Sequence, residues 1–204
     1  MQLDVDWPVE AVEAAVLETL RRNEVRGDCQ IRLTIFVTGD GNATTRGPCS
    51  LVSIATPRRA RPFATRGLTA AVSSWRRISD EVMPPRVKAG ANYLNGRYGQ
   101  LEAMGNGHDE AIFLTSGGKV AEAGSSCLFI VRDGRLATPP ATAAILESIT
   151  RDTVIRLARH AEMPVEVREI DRTELYLAEE AFLCGSHYEI TPVTRIDGFR
   201  IGNG

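Results

Sequence analysis

The stretch RVKAGANYLNG, residues Arg86–Gly96, contains one of the two lysines in a chain whose other basic residues are all arginines. That lysine, Lys88, follows Pro84-Pro85 and precedes three small residues, so other groups can approach its ammonium closely. A lysine that is desolvated between a strand and a helix becomes a nucleophile able to form a Schiff base. A solvated lysine on a turn is the alternative, and composition alone favours it.

The second lysine, Lys119, and the acid that follows it, Glu122, lie in one largely apolar region. Gly117-Gly118-Lys119 is typical of a hairpin tip, where the lysine is solvated. Glu122 lies in VAEAGSSCLF, which is equally compatible with a solvent-facing strand residue and with an acid held in a site. Helical spacing alone favours Tyr93 as a core residue.

Hydroxyl groups occur at positions that could bind an anion. Thr150 follows Ser148-Ile149 at a predicted helix start, where a cap is the ordinary role. Helix N-termini also bind phosphate through free amides, so a phosphate site is the second alternative. Ser186 and Thr191, beside Gly185, leave a similar choice open.

Alternation and turn signals predict strands interspersed with helices, in two units with a boundary near residue 68. The first unit, residues 1–68, has a helix that starts after Pro8 and ends near Asn23, followed by two strands. The second unit, residues 69–204, opens with a strand around Trp75. Its further predicted elements are a helix ending at residues 105–107, a meander of three strands over residues 111–140, a helix over residues 149–163, the strand VEVREI, a short helix over residues 174–179 and the strand AFLCGS. The class is α+β or mixed α/β.

Composition excludes several classes of protein. The chain of 204 residues is 43% apolar and 25% charged with a net charge of −2, which is typical of a soluble globular protein. No stretch approaches the roughly 18 apolar residues of a membrane span, and the acidic N-terminus does not resemble a secretory leader. The densest basic run, RRARP at Arg58–Pro62, is short and lacks aromatics, so we expect a solvated loop and no nucleic-acid contact.

The cysteines and histidines are scattered. Cys29, Cys49, Cys127 and Cys184 lie far apart without CxxC spacing, and the three histidines show no metal-binding pattern. We therefore expect no metal site, no disulfide framework, and the reduced thiols of a cytoplasmic protein.

Seven motifs, taken together, resemble one enzyme family. They are VSSW at residues 72–75, KAGANY at 88–93, Glu122 ahead of LF, DGRLATPP at 133–140, SITRD at 148–152, LYLAEE at 175–180 and EITPV at 189–193. Their order and spacing over about residues 70 to 200 are similar to those of class IV (fold type IV) pyridoxal-phosphate aminotransferases, most of all the branched-chain amino acid aminotransferases. The resemblance implies a two-domain α+β fold like that of D-amino acid aminotransferase, with a small N-terminal α/β domain and a larger, mixed, barrel-like C-terminal domain that binds the cofactor.

The resemblance also implies how three residues would serve the reactive part of pyridoxal 5'-phosphate. Lys88 would carry the cofactor as a Schiff base and later move the α-proton as general base and acid. Glu122 would pair with the pyridine nitrogen and keep it protonated. Tyr93 would donate a hydrogen bond to the phenolic oxygen of the cofactor.

Phosphate and substrate binding follow from the same resemblance. Ile149 and Thr150 would offer amides and a hydroxyl to the phosphate at a helix start, with Ser186 assisting. Arg32, in IRL, matches a family arginine near the substrate that can bind a carboxylate.

The chain departs from the family pattern in sequence and in length. Family members commonly have asparagine at the position of Cys127, glycine at Ser148 and, in branched-chain enzymes, tyrosine at Gln30, which weakens the branched-chain assignment. The family normally has further N-terminal strands with a phosphate-binding arginine, and a closing C-terminal strand and helix. We therefore expect either a chain truncated at both ends or a natural short relative, with an incomplete small domain and unpaired sheet edges. If no other chain supplies an equivalent phosphate-binding arginine, we expect weak cofactor affinity.

The leading functional prediction is transfer of an amino group between an amino acid, of the branched-chain L series, and 2-oxoglutarate. A D-amino acid aminotransferase and an aminodeoxychorismate lyase are alternatives within the fold. A truncated, catalytically weak relative acting as a binding protein is an alternative of another class. The family implies a homodimer that acts on small-molecule substrates, while the cysteines and the composition favour a cytoplasmic protein with no membrane or nucleic-acid partner.

Overall fold

The computed structural model describes residues 2–58 and 63–202. These residues form two compact units, Met1–Ala60 and Arg61–Gly204. Most of the basic run RRARP, for which we expected a solvated loop, lies outside the described residues. None of the helices in the described parts of the chain is long and apolar enough to cross a membrane.

The first unit consists of a helix and a two-stranded sheet. Helix α1, Val9–Arg22, begins after the extended Pro8, which is suited to a helix start because its missing N–H needs no partner. Strands β1, Cys29–Val37, and β2, Cys49–Pro57, pair antiparallel in one continuous register. The predicted helix ending near Asn23 and the two strands after it are confirmed.

The second unit is built on a mixed sheet that contains nine strands within the described residues. The strands are β3, Leu68–Arg76, β4, Glu110–Leu114, β5, Val120–Ala123, β6, Cys127–Arg132, β7, Arg135–Thr138, β8, Val165–Val167, β9, Glu180–Gly185, β10, Glu189–Ile196, and β11, Phe199–Arg200. Their order is β5-β4-β3-β10-β9-β6-β7-β8, with β11 paired to β10. The pairs β3–β4, β3–β10 and β7–β8 are parallel, and the other pairs are antiparallel. The predicted mixture of helices and strands is confirmed.

The predicted meander of three strands over residues 111–140 is wrong. That segment forms two separate hairpins, β4–β5 and β6–β7, and β5 does not pair with β6. The reason is that β6 pairs with β9 across an apolar face, where Phe129 and Phe182 stack with ring centroids 5.0 Å apart. Local turn signals cannot show that a distant strand competes for the same edge.

Two longer helices cover this sheet. Helix α3, Asn92–Gly105, connects the parallel strands β3 and β4 and packs against both. Its buried face is small, with Gly96, Gly99 and Ala103, so the helix backbone lies close to the sheet. Helix α4, Ile149–His160, buries Val154 and Ile155 against β6 and β9. Short helical turns at Phe63–Arg66 (α2), Ala141–Ala143 and Arg172–Leu177 complete the unit.

Candidate active site

Lys88 lies on the loop that leads into α3, and the start of that helix fixes the loop. Asn92 is 5% exposed, and its amide Nδ2 donates to the carbonyl oxygens of Pro84 at 3.0 Å and Val87 at 2.9 Å. Lys88 itself is exposed, and its ammonium has no hydrogen bond or ion pair with any described residue. The backbone beside the amine is therefore held in place while the amine stays free.

Tyr93 follows Asn92 in the first turn of α3. Its side chain is 42% exposed, so the core role that helical spacing favoured is wrong. The buried face of α3 is taken by residues without bulky side chains, which turns the tyrosine outward. Within the described residues its hydroxyl has no partner, and it is free to bind a ligand.

Glu122 is a buried acid on β5, and the alternative of a solvent-facing strand residue is wrong. Its carboxylate forms an ion pair with Arg77 at 2.6 Å, and the side chains of both residues are almost fully buried. Burial raises the pKa of Glu122 to about 7, while the Arg77 guanidinium opposes that rise. Arg77 is fixed in turn because its Nε donates to the carbonyl oxygen of Ala144 at 3.2 Å.

The start of α4 presents hydrogen-bond donors without partners in the described chain. Ser148 is the N-cap, and its hydroxyl accepts from the backbone N–H of Arg151 at 3.3 Å. The backbone N–H groups of Ile149 and Thr150 and the Thr150 hydroxyl have no hydrogen-bond partner in the described chain. Free amides and the helix dipole together favour an anion at this end.

Two contacts bring the Lys88 loop, Glu122 and the start of α4 together. The backbone N–H of Leu146 lies 3.2 Å from each carboxylate oxygen of Glu122. Arg86, two residues before Lys88, forms an ion pair with Glu147 at 3.3 Å. Since Leu146 and Glu147 lead directly into the cap of α4, the amine, the acid and the helix end belong to one region of the second unit.

Close backbone approaches complete this region. Gly96 of α3 lies against Gly124, because a Cβ on Gly96 would stand 2.5 Å from the carbonyl oxygen of Gly124. A Cβ on Gly185 would be 3.6 Å from the carbonyl oxygen of Ser125, which follows Gly124. The turn between β5 and β6 therefore contacts both α3 and the end of β9.

The two hydroxyls near Gly185 differ in their availability. Ser186 is exposed on the turn that joins β9 to β10, next to the buried Gly185. Thr191 is 3% exposed, and its hydroxyl donates to the carbonyl oxygen of Tyr188 at 2.6 Å. Ser186 is thus available to a ligand, whereas Thr191 holds the turn.

Arg32 belongs to the first unit, where it lies on β1 opposite Ile54 of β2. Its side chain is exposed, and it forms no ion pair with a described residue. Its guanidinium is therefore accessible on β1.

Two residues of the site were missed from the sequence, Arg77 and Asn92. Arg77 follows the strand residues Trp75-Arg76, and the register of β3 against β4 shifts between Val72 and Arg76. That shift breaks the simple alternation that would have indicated which arginine points inward. Asn92 stood inside the quoted motif, but nothing in its spacing indicated that its amide reaches back to the loop.

The described residues contain no cluster of three or more His, Cys, Asp or Glu side chains that could hold a metal ion.

Comparison with known proteins gives sequence matches over nearly the whole chain. The model of the amino-transferase class IV family matches residues 1–196. A probable branched-chain-amino-acid aminotransferase of Aquifex aeolicus is 39% identical over 207 residues, covering 99% of this chain and 66% of the relative. The branched-chain-amino-acid aminotransferase of Salmonella typhimurium is 36% identical, covering 98% of this chain and 66% of its own. The chain thus spans about two thirds of the length of these curated relatives.

Solved structures agree. The branched-chain aminotransferase of Thermoproteus uzoniensis with norvaline superposes with a TM-score of 0.93 at 41% identity, covering 99% of this chain and 68% of the other. The branched-chain amino acid aminotransferase of Thermobaculum terrenum in its PLP form gives a TM-score of 0.90 at 44% identity, covering 99% of this chain and 67% of the other.

Proposed function

Because this chain belongs to the class IV aminotransferase family, we propose that it transfers amino groups from branched-chain L-amino acids to 2-oxoglutarate with pyridoxal 5'-phosphate as cofactor. The family uses this cofactor, and related structures are a PLP form and a phosphopyridoxyl-glutamate complex. The predicted fold type IV architecture is confirmed by the similarity to solved structures of branched-chain aminotransferases. The activity is a proposal because the chain spans only 66% of the length of its curated relative from Aquifex aeolicus.

One observation carries the proposal: a free amine, a buried acid and an open helix N-terminus lie in one region. Lys88 has no partner among the described residues, Glu122 is paired with Arg77, and the amides at the start of α4 are unpartnered. A cofactor with an aldehyde, a basic ring nitrogen and a phosphate needs these three kinds of group. The residues present fit pyridoxal phosphate.

Lys88 would bind the cofactor covalently through its amine and then act on the substrate. Bound pyridoxal phosphate supplies a ring that withdraws electrons and stabilises negative charge at the substrate Cα. The released Lys88 amine would take the proton from that Cα and return it to the neighbouring carbon of the cofactor. Because Asn92 fixes the loop at Pro84 and Val87, the amine moves on its side chain while the backbone stays in place.

Glu122 would hold a proton on the ring nitrogen. Its pKa of about 7 places the carboxyl between its two protonation states at neutral pH. A cationic ring nitrogen beside it would favour the carboxylate, as Arg77 already does. The Oε1 oxygen is bound by Arg77, and Oε2 has the weaker partners, so Oε2 is the acceptor that we assign to the ring.

The remaining assignments concern the phosphate, the phenolic oxygen and the substrate. Ile149, Thr150 and Ser186 would donate to the phosphate, and the exposed Tyr93 hydroxyl would donate to the phenolic oxygen. Arg32, a free cation on β1, would bind a substrate carboxylate.

The test is reductive trapping followed by a substrate panel. The chain is mixed with pyridoxal phosphate, reduced with borohydride and mapped by peptide mass. We expect the label at Lys88; a label only at Lys119, or none on a folded chain, would overturn the proposal and favour the weak, binding-only relative. L-valine, L-leucine and L-isoleucine with 2-oxoglutarate should then be the preferred substrates, and preference for D-alanine or aminodeoxychorismate would assign one of the alternative activities.

We infer that the chain acts as a homodimer in the cytoplasm. Leu94, Tyr98 and Leu101 form an exposed apolar stripe on α3, and Tyr98 stacks on the exposed Trp75 at 4.9 Å between ring centroids. Such a stripe fits an interface with a second copy. All four cysteines are free thiols, which fits a reducing compartment. Light scattering should give twice the mass of the chain, and a monomer at all concentrations would contradict the dimer.

A further inference from the structure

Two buried thiols face each other beside the candidate site. Cys127 on β6 and Cys184 on β9 are directly opposite in the register of these antiparallel strands. They are 3% and 0% exposed, and both are free. Opposed residues of antiparallel strands have Cα atoms about 4.5 to 5.5 Å apart, which lies within the roughly 4.4 to 6.8 Å that a disulfide spans.

The surroundings make the two sulfurs unequal. The pKa of the Cys184 thiol is lowered chiefly by its interaction with Cys127, and Arg151 adds to that effect. The pKa of Cys127 is raised, first by its interaction with Cys184 and then by burial. Cys184 is therefore the more readily ionised of the two, which makes it the candidate attacking cysteine and Cys127 the candidate resolving one.

Cys127 also connects the pair to the site. Its Sγ lies 3.9 Å from Oε2 of Glu122 and 3.7 Å from the carbonyl oxygen of Leu146. Oε2 is the oxygen of Glu122 that Arg77 leaves free. Cys127 therefore lies against the acid of the site, and Cys184 lies opposite it on β9.

We propose that Cys127 and Cys184 are an oxidisable dithiol that forms a reversible cross-strand disulfide beneath the candidate site. This modification goes beyond the proposed transamination and does not depend on it.

The oxidant that we name is hydrogen peroxide. The Cys184 thiolate attacks the peroxide oxygen, the O–O bond breaks, and one water leaves after protonation, which gives a sulfenic acid. The Cys127 sulfur then attacks Cys184 Sγ, the S–S bond forms, and the S–O bond breaks to release a second water. The two thiols lose two electrons and two protons in total, and the peroxide is reduced to two waters. A dithiol reductant reverses the oxidation by thiol–disulfide exchange.

Bond formation would change the partners of Glu122. Cys127 Sγ would move towards β9 and could no longer donate to Oε2, since a disulfide sulfur carries no proton. Glu122 would then keep Arg77 and Leu146 as its neighbours. Oxidation therefore acts on the acid that we assign to the ring nitrogen.

The test uses the whole chain without added cofactor. In a Cys29→Ser/Cys49→Ser variant, two thiols remain, and hydrogen peroxide should remove both together, with return of both after dithiothreitol. Tryptic mapping should find residues 120–132 linked to residues 173–195, with the loss of two hydrogens. If that variant does not fold, the same linked peptide is sought in the unsubstituted chain.

The control variants are Cys127→Ser and Cys184→Ser in the same background. Each should abolish the linked peptide, and Cys127→Ser should leave Cys184 as a sulfenic acid that dimedone labels. The proposal is overturned if the folded chain gives no linked peptide, if the link forms only in urea, or if Cys29 or Cys49 is the partner found.

Discussion

The two lysines of this chain occupy regions with opposite charge arrangements. Lys119, beside the β4–β5 hairpin turn, binds Asp171 at 2.7 Å and lies 3.9 Å from Glu169. The hydrogen bond to Asp171 raises the pKa of Lys119, so its amine stays protonated and is not a nucleophile. Lys88 has no carboxylate partner in the described chain, and the buried acid of its region, Glu122, is paired with Arg77 instead.

The difference teaches how one residue type is assigned to two roles. A structural lysine has its charge neutralised by nearby carboxylates. Lys88, for which we propose a reactive role, has no such carboxylate among the described residues, and Glu122, the acid that we assign to the same site, is paired with another cation. Arg77 is thus as much a part of the difference as the lysines themselves.

The largest expected effect is the removal of the free amine. Lys88→Ala should lower the transamination rate by at least about 10³-fold, because the general base and the covalent anchor are lost together. Lys119→Ala is the matched control and should keep the rate within about twofold, since exposed ion pairs contribute little. If steady-state kinetics show the loss of activity in Lys119→Ala instead, the proposed difference between the two lysines is wrong.

The second prediction concerns Arg77, the cation that forms an ion pair with Glu122. Arg77→Met leaves a buried carboxylate without its partner, which should lower the free energy of unfolding by about 3–5 kcal/mol. Arg97→Met, at an exposed position on α3, is the matched control and should change little. Urea unfolding measures both variants, and equal midpoints would show that the Arg77–Glu122 pair contributes nothing.

The third prediction is a pH dependence. The pKa of Glu122 is raised from 4.5 to about 7 in the folded chain, so the folded state binds the proton more tightly than the unfolded state. The stabilising effect is present below about pH 4.5 and is lost as the pH rises to about 7, with an upper limit of roughly 3 kcal/mol. Glu122→Gln should remove this part of the pH profile in urea unfolding. Identical profiles of the two chains between these pH values would mean that Glu122 does not titrate there.

The smallest expected effect comes from Asn92, whose side chain holds the loop that carries Lys88. Asn92→Ala removes two hydrogen bonds to the loop carbonyls, which should cost about 1–3 kcal/mol of stability and slow reductive trapping at Lys88. Asn106→Ala, at the exposed end of the same helix, is the control. Borohydride quenching at increasing times after cofactor addition, followed by peptide mass mapping, measures the trapping. An unchanged rate in Asn92→Ala would mean that the loop needs no such support.

The sequence was informative where local pattern determines structure. Hydrophobic periodicity, with Pro and Gly residues at element ends, predicts the helix after Pro8, the strand with Trp75 and the helix after Lys88. The structure has these elements at those places. The resemblance to the aminotransferase family supplied the candidate roles of Lys88 and Glu122, because those residues stand in recognisable motifs.

What the sequence could not predict depends on long-range competition. The hairpins β4–β5 and β6–β7 are separated because β9, about fifty residues later in the chain, takes the free edge of β6. Arg77 comes directly after β3, whose register against β4 shifts before Arg76, and a register shift leaves no mark in composition. Tyr93 was taken for a core residue because spacing shows a periodic face but does not show which face is covered.

The contact between Gly96 and Gly124 has a consequence for redesign of this protein. Both positions lack a side chain, so the helix that follows Lys88 and the turn that follows Glu122 touch backbone to backbone. The two backbones thus act as a spacer of fixed thickness, which sets how far apart the amine and the acid are anchored. Even an alanine at position 96 would force the two backbones apart. A library of altered active sites should therefore vary the exposed side chains and keep glycine at positions 96 and 124.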